Sequence, residues 1–316
     1  MASNPALILK PPTVNPGCTI AVVSPASHPQ PERIERAIAM LEGLGYRVKR
    51  GQHLLSKAKP YFAGTAEERL EDLHAAFEDV EVAAIICSRG GYGSNYLLRG
   101  LDLELIRRNP KPLFGYSDLT ALQTWLLDEV GLMGFYGPML SGDFAAEDGV
   151  DLMSFRAVLA GDRVKYGSAQ GLRTLRPGTA TGILYGGCLS ILTAAMGTPY
   201  EPRTEGKLLF LEDVAAKPYQ VDRMLRQMIL GGKLDGVRGV IFGEMLDCVS
   251  PGADSSLLAE AILEVLHRIE GPIAIGLRSG HVSHGNVTLP LGVMAELSLE
   301  GEPMLQMMEP AVNLKY

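Results

Sequence analysis

Short apolar runs rich in β-forming residues recur along the first half of the chain, and stretches of helical spacing lie between them. The stretch 31–45 carries apolar residues at helical spacing, and the stretch 65–79 opens with Thr65, three residues before Glu68, which is a capping-box pattern. Strands that alternate with helices favour βαβ units and a parallel sheet. The runs are TIAVVS (19–24), VAAIICS (82–88), PLFGY (112–116) and LMGFYG (132–137).

The second half of the chain has more strand-like runs and two further helical stretches, 219–232 and 255–271. Between the halves the periodicity weakens, so residues 146–178 are expected to connect two domains. We predict an α/β protein with a Rossmann- or flavodoxin-like parallel-sheet domain over 1–145 and a smaller, strand-rich α/β domain over 179–316. The second-half runs are TGILYGG (181–187), KLLFLEDV (207–214), VRGVIFGEM (237–245), PIAIGL (272–277) and VMAELSLEG (293–301).

Composition excludes several classes of function. The 316 residues carry a net charge of −7, which argues against nucleic acid or an anionic membrane as the main partner. The N-terminus lacks the pattern of a signal peptide, and no stretch approaches the ~18 apolar residues of a membrane span, so we expect a cytoplasmic protein. The cysteines, Cys18, Cys87, Cys188 and Cys248, are too far apart for the usual zinc site or a disulfide framework. Three of the four lie in or beside apolar runs, where a buried, reduced thiol is expected.

A serine stands where a strand turns into a helix. The run PLFGY is followed by Ser117 and Asp118, and leucines at helical spacing come next. A side chain at such a corner is lifted clear of the sheet edge, beside the free N–H groups of a helix N-terminus, which is the geometry of a nucleophile elbow. The match is partial, because GYSDL lacks the second glycine of G-x-S-x-G, and an ordinary N-cap serine is the alternative.

The loop CSRGGYGSN, residues 87–95, is a second candidate. Adjacent glycines can turn sharply and present N–H groups to an anion. The loop could cradle a phosphate, although no phosphate-binding motif is complete, or supply an oxyanion donor, or be a plain turn. Because it follows a parallel strand, it should lie at the same sheet edge as Ser117.

Acid and base candidates lie in the second half. Glu212 and Asp213 close a strongly apolar run, where a carboxylate is structural or orients a histidine. The glycine-rich loop 276–292 holds His281 and His284, either of which could be a general base or an ordinary loop residue.

Together these segments resemble the LD-carboxypeptidase family of serine peptidases, which is related to the microcin C self-immunity hydrolases. The resemblance runs almost end to end and includes the following segments: LKPPTVNPGCTIAVVSPAS, YFAGTAEERLEDLHAAFEDVEVAAIICSRGGYGSNYLL, FGYSDLTAL, GGCLSILTAAMGTPYEP, LLFLEDVAAKPYQVDRML and GHVSHGNVTLPLG. Two departures stand out: Cys18 where the family commonly has the aspartate of PGD, and Cys188 where it has the asparagine of GGN.

The resemblance implies a Ser-Glu-His triad. It makes Ser117 the nucleophile, Glu212 the orienting acid and His281 the base, the last because it occupies the family's Gly-His position. It implies an oxyanion hole formed by the N–H of Asp118 and one from the Arg89–Gly91 turn, with Gly91 preferred over Gly90. No metal or organic cofactor is required.

The implied reaction is release of terminal D-alanine from a murein tetrapeptide during cell-wall recycling, by a homodimer. One alternative is a microcin C-type hydrolase that cleaves aminoacyl-nucleotide amides. Such an enzyme needs an aromatic surface on which the base can stack. The position of Trp125 inside a helix predicts a core residue, but Phe144, Phe155 and Tyr166 in the inter-domain stretch leave this alternative open. Another is a non-catalytic two-domain ligand-binding protein, in which Ser117 only caps a helix.

Overall fold

A computed structural model describes residues 8–313 except Pro251, Ala253 and Ser255. Two sequence predictions touch the other positions. The expected lack of a signal peptide rests partly on residues 1–7, and the helix predicted over 255–271 starts at Ser255. Those parts of the predictions lie outside the described residues.

A six-stranded sheet is built from five strands of the first half of the described chain and one strand of the second half, and its central strands follow apolar runs because they are buried on both faces. The spatial order is β12-β5-β4-β3-β1-β2, and all neighbours are parallel except β12 and β5. The strands are β1 (Thr19–Val23), β2 (Arg47–Arg50), β3 (Val82–Cys87), β4 (Leu113–Gly115), β5 (Gly134–Tyr136) and β12 (Leu289–Leu291). The helices are α1 (Pro31–Gly43), α2 (Ala66–Glu78), α3 (Leu103–Arg108), α4 (Thr120–Glu129) and α5 (Leu152–Ala160).

The second sheet has eight strands in the described chain, in the order β6-β14-β13-β8-β9-β10-β11-β7. Its centre, β8 to β11, is parallel, and antiparallel strands flank it. The strands are β6 (Lys165–Gly167), β7 (Arg173–Arg176), β8 (Thr179–Cys188), β9 (Leu208–Glu212), β10 (Gly239–Gly243), β11 (Ile273–Leu277), β13 (Met294–Ser298) and β14 (Met304–Met307). The helices are α6 (Leu189–Ala194), α7 (Pro218–Leu230) and α8 (Leu257–Val265). The predicted α/β class with a parallel N-terminal sheet is confirmed.

The segment 146–178, expected to be a connection, contributes to the body of the protein. It contains α5 and the strands β6 and β7, which form the two edges of the second sheet. Phe155 of α5 is fully buried, and its ring packs against those of Phe114 and Phe144 at 5.4 and 5.3 Å. Weak periodicity hid these elements because a short helix and two edge strands each bury too few residues to show a repeat.

The chain also crosses back from the second half to the first sheet. Strand β12 pairs antiparallel with β5 and brings Pro290 opposite Phe135, at an edge position where proline is tolerated. A second link joins the two sheets near the ends of their parallel strands, where the Cys188 N–H donates to Thr120 Oγ1 at 2.9 Å. The Tyr136 hydroxyl at the end of β5 also donates to Glu212 at the end of β9, and Tyr136 pairs with Gly115 at the end of β4, so the carboxyl ends of β4, β5 and β9 lie close together.

Other local predictions can be compared directly. The capping box is formed, with the Glu68 N–H donating to Thr65 Oγ1 and the Thr65 N–H to Glu68 Oε2. All four cysteines are described and none is bonded to another, and Cys87, Cys188 and Cys248 are buried. Among the helices of the described chain, none combines the length and apolar character needed to cross a bilayer.

Packing of α5 predicts a large stability effect. Phe155→Ala should lower the free energy of unfolding by about 3–5 kcal/mol, because it leaves a cavity among the buried aromatic rings. Met153→Ala, two residues earlier on the same helix, is the matched control, since Met153 is 83% exposed and should cost under ~0.5 kcal/mol. Urea denaturation followed by circular dichroism measures both, and equal effects would contradict a core role for α5.

Candidate active site

Ser117 occupies a strained corner at the end of β4. Its φ is +63°, in the left-handed region that costs a non-glycine residue about 1 kcal/mol or more, and the preceding Tyr116 is extended. The Ser117 N–H donates to the hydroxyl of Tyr136 at 3.2 Å, across the neighbouring strand end. A single 3₁₀ turn, Ser117–Leu119, then leads into α4. The strand-to-helix corner expected from the sequence is present, and Ser117 caps no N–H of this turn with its side chain.

Asp118 anchors this corner. Its carboxylate Oδ2 accepts the Ser94 N–H at 2.8 Å, and its backbone carbonyl accepts the Ser94 hydroxyl at 2.6 Å. Burial raises the pKa of Asp118, against the lowering effect of the Ser94 hydrogen bonds. The side chain is therefore committed to holding the 87–95 loop against the corner, and only the backbone N–H of Asp118 is left to face a ligand.

The glycine turn contacts Ser117 directly. A Cβ on Gly90 would stand 2.8 Å from Ser117 Cβ and 3.3 Å from the Asp118 nitrogen, so only glycine fits there. Within the described chain, the N–H groups of Gly90, Gly91 and Asp118 donate to no backbone acceptor. These amides are suited to an oxyanion hole, and the choice between Gly90 and Gly91 stays a prediction.

Glu212 ends β9 with no exposed surface. Its Oε1 accepts the Tyr136 hydroxyl at 2.5 Å, and its Oε2 accepts both the backbone N–H of His281 at 3.1 Å and the ring Nδ1 at 2.8 Å. A Cβ on Gly280 would lie 2.6 Å from Glu212 Cδ, and Gly280 has φ +92°, so both space and backbone demand glycine before the histidine. A buried carboxylate is tolerated here because hydrogen-bond donors surround it.

His281 is held as a base would be. Burial by itself lowers its pKa, but the charge of Glu212 and the hydrogen bond to it outweigh burial, and the pKa of His281 lies above its ordinary value. With Nδ1–H donating to the carboxylate, Nε2 is free to accept a proton. His284, the alternative, is exposed and contacts the Ser283 hydroxyl at 3.0 Å, away from Glu212.

Ser117 and His281 line one cavity of about 230 Å³, together with Arg89, Gly90 and Gly91. The structure forms no hydrogen bond between Ser117 Oγ and the His281 ring, and we expect this contact to form when a substrate is bound. Such contacts are often long without ligand. The arrangement can activate a hydroxyl, orient a base and stabilise a developing oxyanion, which is the set of functions needed for acyl transfer.

Sequence reasoning missed Tyr136, the buried residue that ends β5 and links the Ser117 backbone to Glu212. An aromatic residue at the end of a buried strand carries no sequence signal that separates it from ordinary core. Only its place beside the end of β4, where Gly115 pairs with Tyr136, reveals the link.

Asn286 and Asp143 support the histidine loop. The Asn286 side chain accepts the Gly280 N–H at 3.1 Å and donates to the Gly280 carbonyl and to Asp143 Oδ1, both at 3.0 Å. Asp143 is buried, and burial raises its pKa to about 6 despite hydrogen bonds from Met139 and Asn286. Asn286 thus fixes the turn from which His281 projects.

Cys188, at the position of the family's asparagine, is buried beside the acids. Burial and then the charges of Glu212 and Asp213 raise the pKa of its thiol well above the ordinary value. The group is a neutral thiol at physiological pH and is not a second nucleophile.

Comparison with known proteins points to one family along the whole chain. Residues 20–137 match the sequence model described as LD-carboxypeptidase N-terminal domain, and residues 181–297 match the one described as LD-carboxypeptidase C-terminal domain. A probable murein peptide carboxypeptidase of Bacillus subtilis is 40% identical over 297 residues, covering 93% of this chain and 92% of the relative.

Two solved structures share the fold. The crystal structure of muramoyltetrapeptide carboxypeptidase from Oxalobacter formigenes has a TM-score of 0.81 and 29% identity, covering 94% of this chain and 100% of that chain. The microcin C7 self-immunity protein MccF, a protein of Escherichia coli, in complex with aspartyl sulfamoyl adenosine has a TM-score of 0.86 and 28% identity, covering 96% of this chain and 100% of that chain.

The Glu212–His281 pair predicts how Ser117 reactivity depends on pH. The rate of labelling by a fluorophosphonate should rise with pH as neutral His281 forms, with a midpoint above 6.5, because the carboxylate raises the pKa of the histidine. In Glu212→Gln the raising charge is gone and burial remains, so the midpoint should move to lower pH. The plateau rate should also fall by about 10⁴-fold, since an amide favours the wrong tautomer.

His284→Ala is the matched control for this experiment. Because His284 makes no contact with Glu212, its removal should leave both the midpoint and the plateau unchanged. A midpoint that does not move in Glu212→Gln, or one that moves equally in His284→Ala, would contradict the assignment of the base.

Removing the Tyr136 hydroxyl should slow labelling with no change of the native fold. Tyr136→Phe loses the acceptor of the Ser117 N–H and the donor to Glu212, so we expect the rate to fall by about 10–100-fold, as for a lost hydrogen bond to a charged group. Tyr166→Phe, which also removes a buried tyrosine hydroxyl but one bonded to the Thr288 carbonyl, is the control and should keep the parent rate. Equal rates in the two variants would exclude a positioning role for Tyr136.

Proposed function

The chain belongs to the LD-carboxypeptidase family, a family of serine peptidases, and from that premise we propose that it releases terminal D-alanine from murein tetrapeptides. The observation that carries the proposal is that buried Glu212 hydrogen-bonds His281, which lines the same cavity as Ser117. The bond cleaved would join the L-centre of the third residue to the terminal D-residue. The names of relatives that align over nearly the whole chain support this substrate class.

In the proposed mechanism, His281 Nε2 takes the proton of Ser117 Oγ as the oxygen attacks the scissile carbonyl carbon. Glu212 holds the imidazole in the tautomer that leaves Nε2 bare, and its charge stabilises the imidazolium that forms. The N–H groups of Asp118 and of Gly91 or Gly90 stabilise the oxyanion, by roughly 3–4 kcal/mol for one donor in related chemistry.

In the rest of the reaction, His281 acts first as an acid and then again as a base. The imidazolium returns its proton to the amine of the leaving D-alanine, and the C–N bond breaks to leave an acyl ester on Ser117. A water molecule, deprotonated by His281, then attacks the ester and regenerates the serine. The protein's own side chains perform every proton transfer in this sequence.

The cellular setting follows from the resemblance. We propose that the enzyme acts in cell-wall recycling in the cytoplasm and that it is a homodimer, as the family resemblance implies. The nucleophile comes from β4 of the first sheet and the acid from β9 of the second, so the proposed site depends on the contact between the two sheets.

A microcin C-type hydrolase is the second candidate, favoured by the similarity to a protein solved with aspartyl sulfamoyl adenosine. Three aromatic residues that could have stacked on a base are in the core, since Phe144, Phe155 and Tyr166 are at most 2% exposed. Tyr92, at 38% exposure, lies beside the Gly90–Gly91 turn and lines a second cavity of about 200 Å³ with Asp118. Tyr92, which lines this cavity together with Tyr200, is a candidate for the aromatic shelf.

Loss of the nucleophile tests the proposal. Ser117→Ala should lower D-alanine release from a muramoyl tetrapeptide by about 10⁴–10⁶-fold, as in other serine hydrolases, while the fold is kept. Ser283→Ala, an exposed serine of the histidine loop, is the control and should act at the parent rate. Mass spectrometry of the products provides the measurement, and release by Ser117→Ala at the parent rate would remove the triad assignment.

Two further measurements separate the candidates. Competition between the tetrapeptide and aminoacyl-sulfamoyl adenosine ranks the two substrates by kcat/KM, and faster cleavage of the nucleotide would favour the second candidate.

A non-catalytic binding protein would leave a fluorophosphonate probe unreacted in a natively folded sample, whereas stoichiometric labelling at Ser117 supports an enzyme.

A further inference from the structure

The cavity beside Ser117 carries positive charge that the proposed mechanism does not use. Arg33 and Arg89 are among its lining residues, and no aspartate or glutamate is. The acids nearest to it, Glu212 and Asp143, are buried and already accept hydrogen bonds from their own partners. A ligand in this cavity therefore meets uncompensated cations.

Arg89 is placed by the glycine turn. It directly precedes Gly90, the residue in contact with Ser117, and its Nη2 atom would lie 3.6 Å from a Cβ on Gly91. Arg33 projects from the first turn of α1, and both arginine side chains are exposed. Glu32, the acidic residue of that turn, does not line the cavity. Within the described chain, neither guanidinium forms an ion pair or hydrogen bond with another side chain, so both are available to a ligand.

A buried serine hydroxyl without a hydrogen-bond partner among the described residues also lines this cavity. Ser141 is 6% exposed, lines the cavity, and its Oγ finds no hydrogen-bond partner among the described residues. Its N–H donates to the Ser88 carbonyl at 2.9 Å, which puts it next to Arg89. Buried polar groups are nearly always satisfied, so an orphaned hydroxyl in a cavity indicates an acceptor supplied by a ligand.

We propose that Arg89, Arg33 and Ser141 form a subsite for the terminal carboxylate of the substrate's D-residue. The proposal rests on the proposed function and extends it to the origin of carboxypeptidase specificity. The terminal carboxylate lies one residue beyond the scissile carbonyl, about 3.8 Å along the chain. Arg89 directly precedes Gly90, which packs against Ser117, and it lines the cavity that a residue beyond the scissile carbonyl would enter.

The negative charge of a free C-terminal carboxylate accounts for the expected preference for peptides that end at the D-residue. A guanidinium binds a carboxylate through paired, charge-assisted hydrogen bonds, and the hydroxyl of Ser141 can donate a third. A C-terminal amide, or a peptide that continues past the D-residue, brings no negative charge to this position. The subsite therefore favours peptides that end at the residue after the scissile bond.

The test compares L-Ala-γ-D-Glu-meso-diaminopimelyl-D-Ala with the same peptide ending in D-alaninamide. The wild-type protein should hydrolyse the acid about 10–100-fold faster in kcat/KM than the amide, the range expected for hydrogen bonds to a charged group. Arg89→Ala should lose most of this preference, chiefly through a higher KM for the acid, and Arg89→Lys should recover part of it. Arg33→Ala should act in the same direction, and the double variant should treat the two peptides alike.

Two controls show that the triad is untouched. Labelling by a fluorophosphonate, which carries no carboxylate, should fall less in every arginine variant than kcat/KM for the acid does, because the arginine side chains make none of the hydrogen bonds of the triad. Arg36→Ala removes an exposed arginine from the same helix as Arg33, but one outside the cavity, and should keep the full preference for the acid.

The outcomes are distinguishable. Equal hydrolysis of both peptides by the wild type would overturn the subsite and leave the proposed carboxypeptidase activity standing. Equal loss of both activities in Arg89→Ala and Arg33→Ala would also overturn it. A wild type that releases neither D-alanine nor its amide would overturn the proposed function and the subsite together.

Discussion

The buried carboxylate of Glu212 is the constraint on which the rest of the site depends. A charge with no access to water is costly unless donors surround it, and here the donors come from distant segments: the Tyr136 hydroxyl and the ring and backbone N–H groups of His281. Because Tyr136 belongs to the first sheet and Glu212 to the second, the hydrogen bonds that satisfy this carboxylate also link the two sheets. The same contact brings the base to the cavity that holds Ser117.

Charge is distributed around the cavity with a clear polarity. Glu212 and Asp143 do not line the cavity and accept hydrogen bonds from their own partners, whereas Arg33 and Arg89 line it and pair with no other side chain of the described residues. A site of this kind is neutralised by an anionic ligand, so part of the electrostatic cost of assembling it is offset on binding. The backbone of Ser117 is left-handed and therefore strained. Such strain persists only where surrounding contacts hold it, and here these are the Tyr136 hydroxyl and the hydrogen bonds between Asp118 and Ser94.

Local pattern predicted the buried strands and the longer amphipathic helices closely, within a few residues at their ends, as for β1, β3, α1 and α2. It failed where burial is partial or pairing is distant. Strand β2 is polar because it lies at a sheet edge, and β12 joins a sheet built almost wholly from the other half of the chain. Such elements owe their conformation to a partner strand, which hydrophobic periodicity does not report.

The sequence alone determined the α/β class, the family and the short set of residues that could carry chemistry. Strand, helix and turn signals are local, and the spacing of a motif can be read directly from the linear sequence. Tertiary structure decided that Glu212 pairs with His281 while His284 points elsewhere, that Tyr136 joins the acid to the serine backbone, and that Arg33 faces the cavity. These facts concern side chains separated by tens of residues or more. Their contacts depend on how sheets pack and on which polar groups must be satisfied in the interior, and that information exists only once the chain is folded.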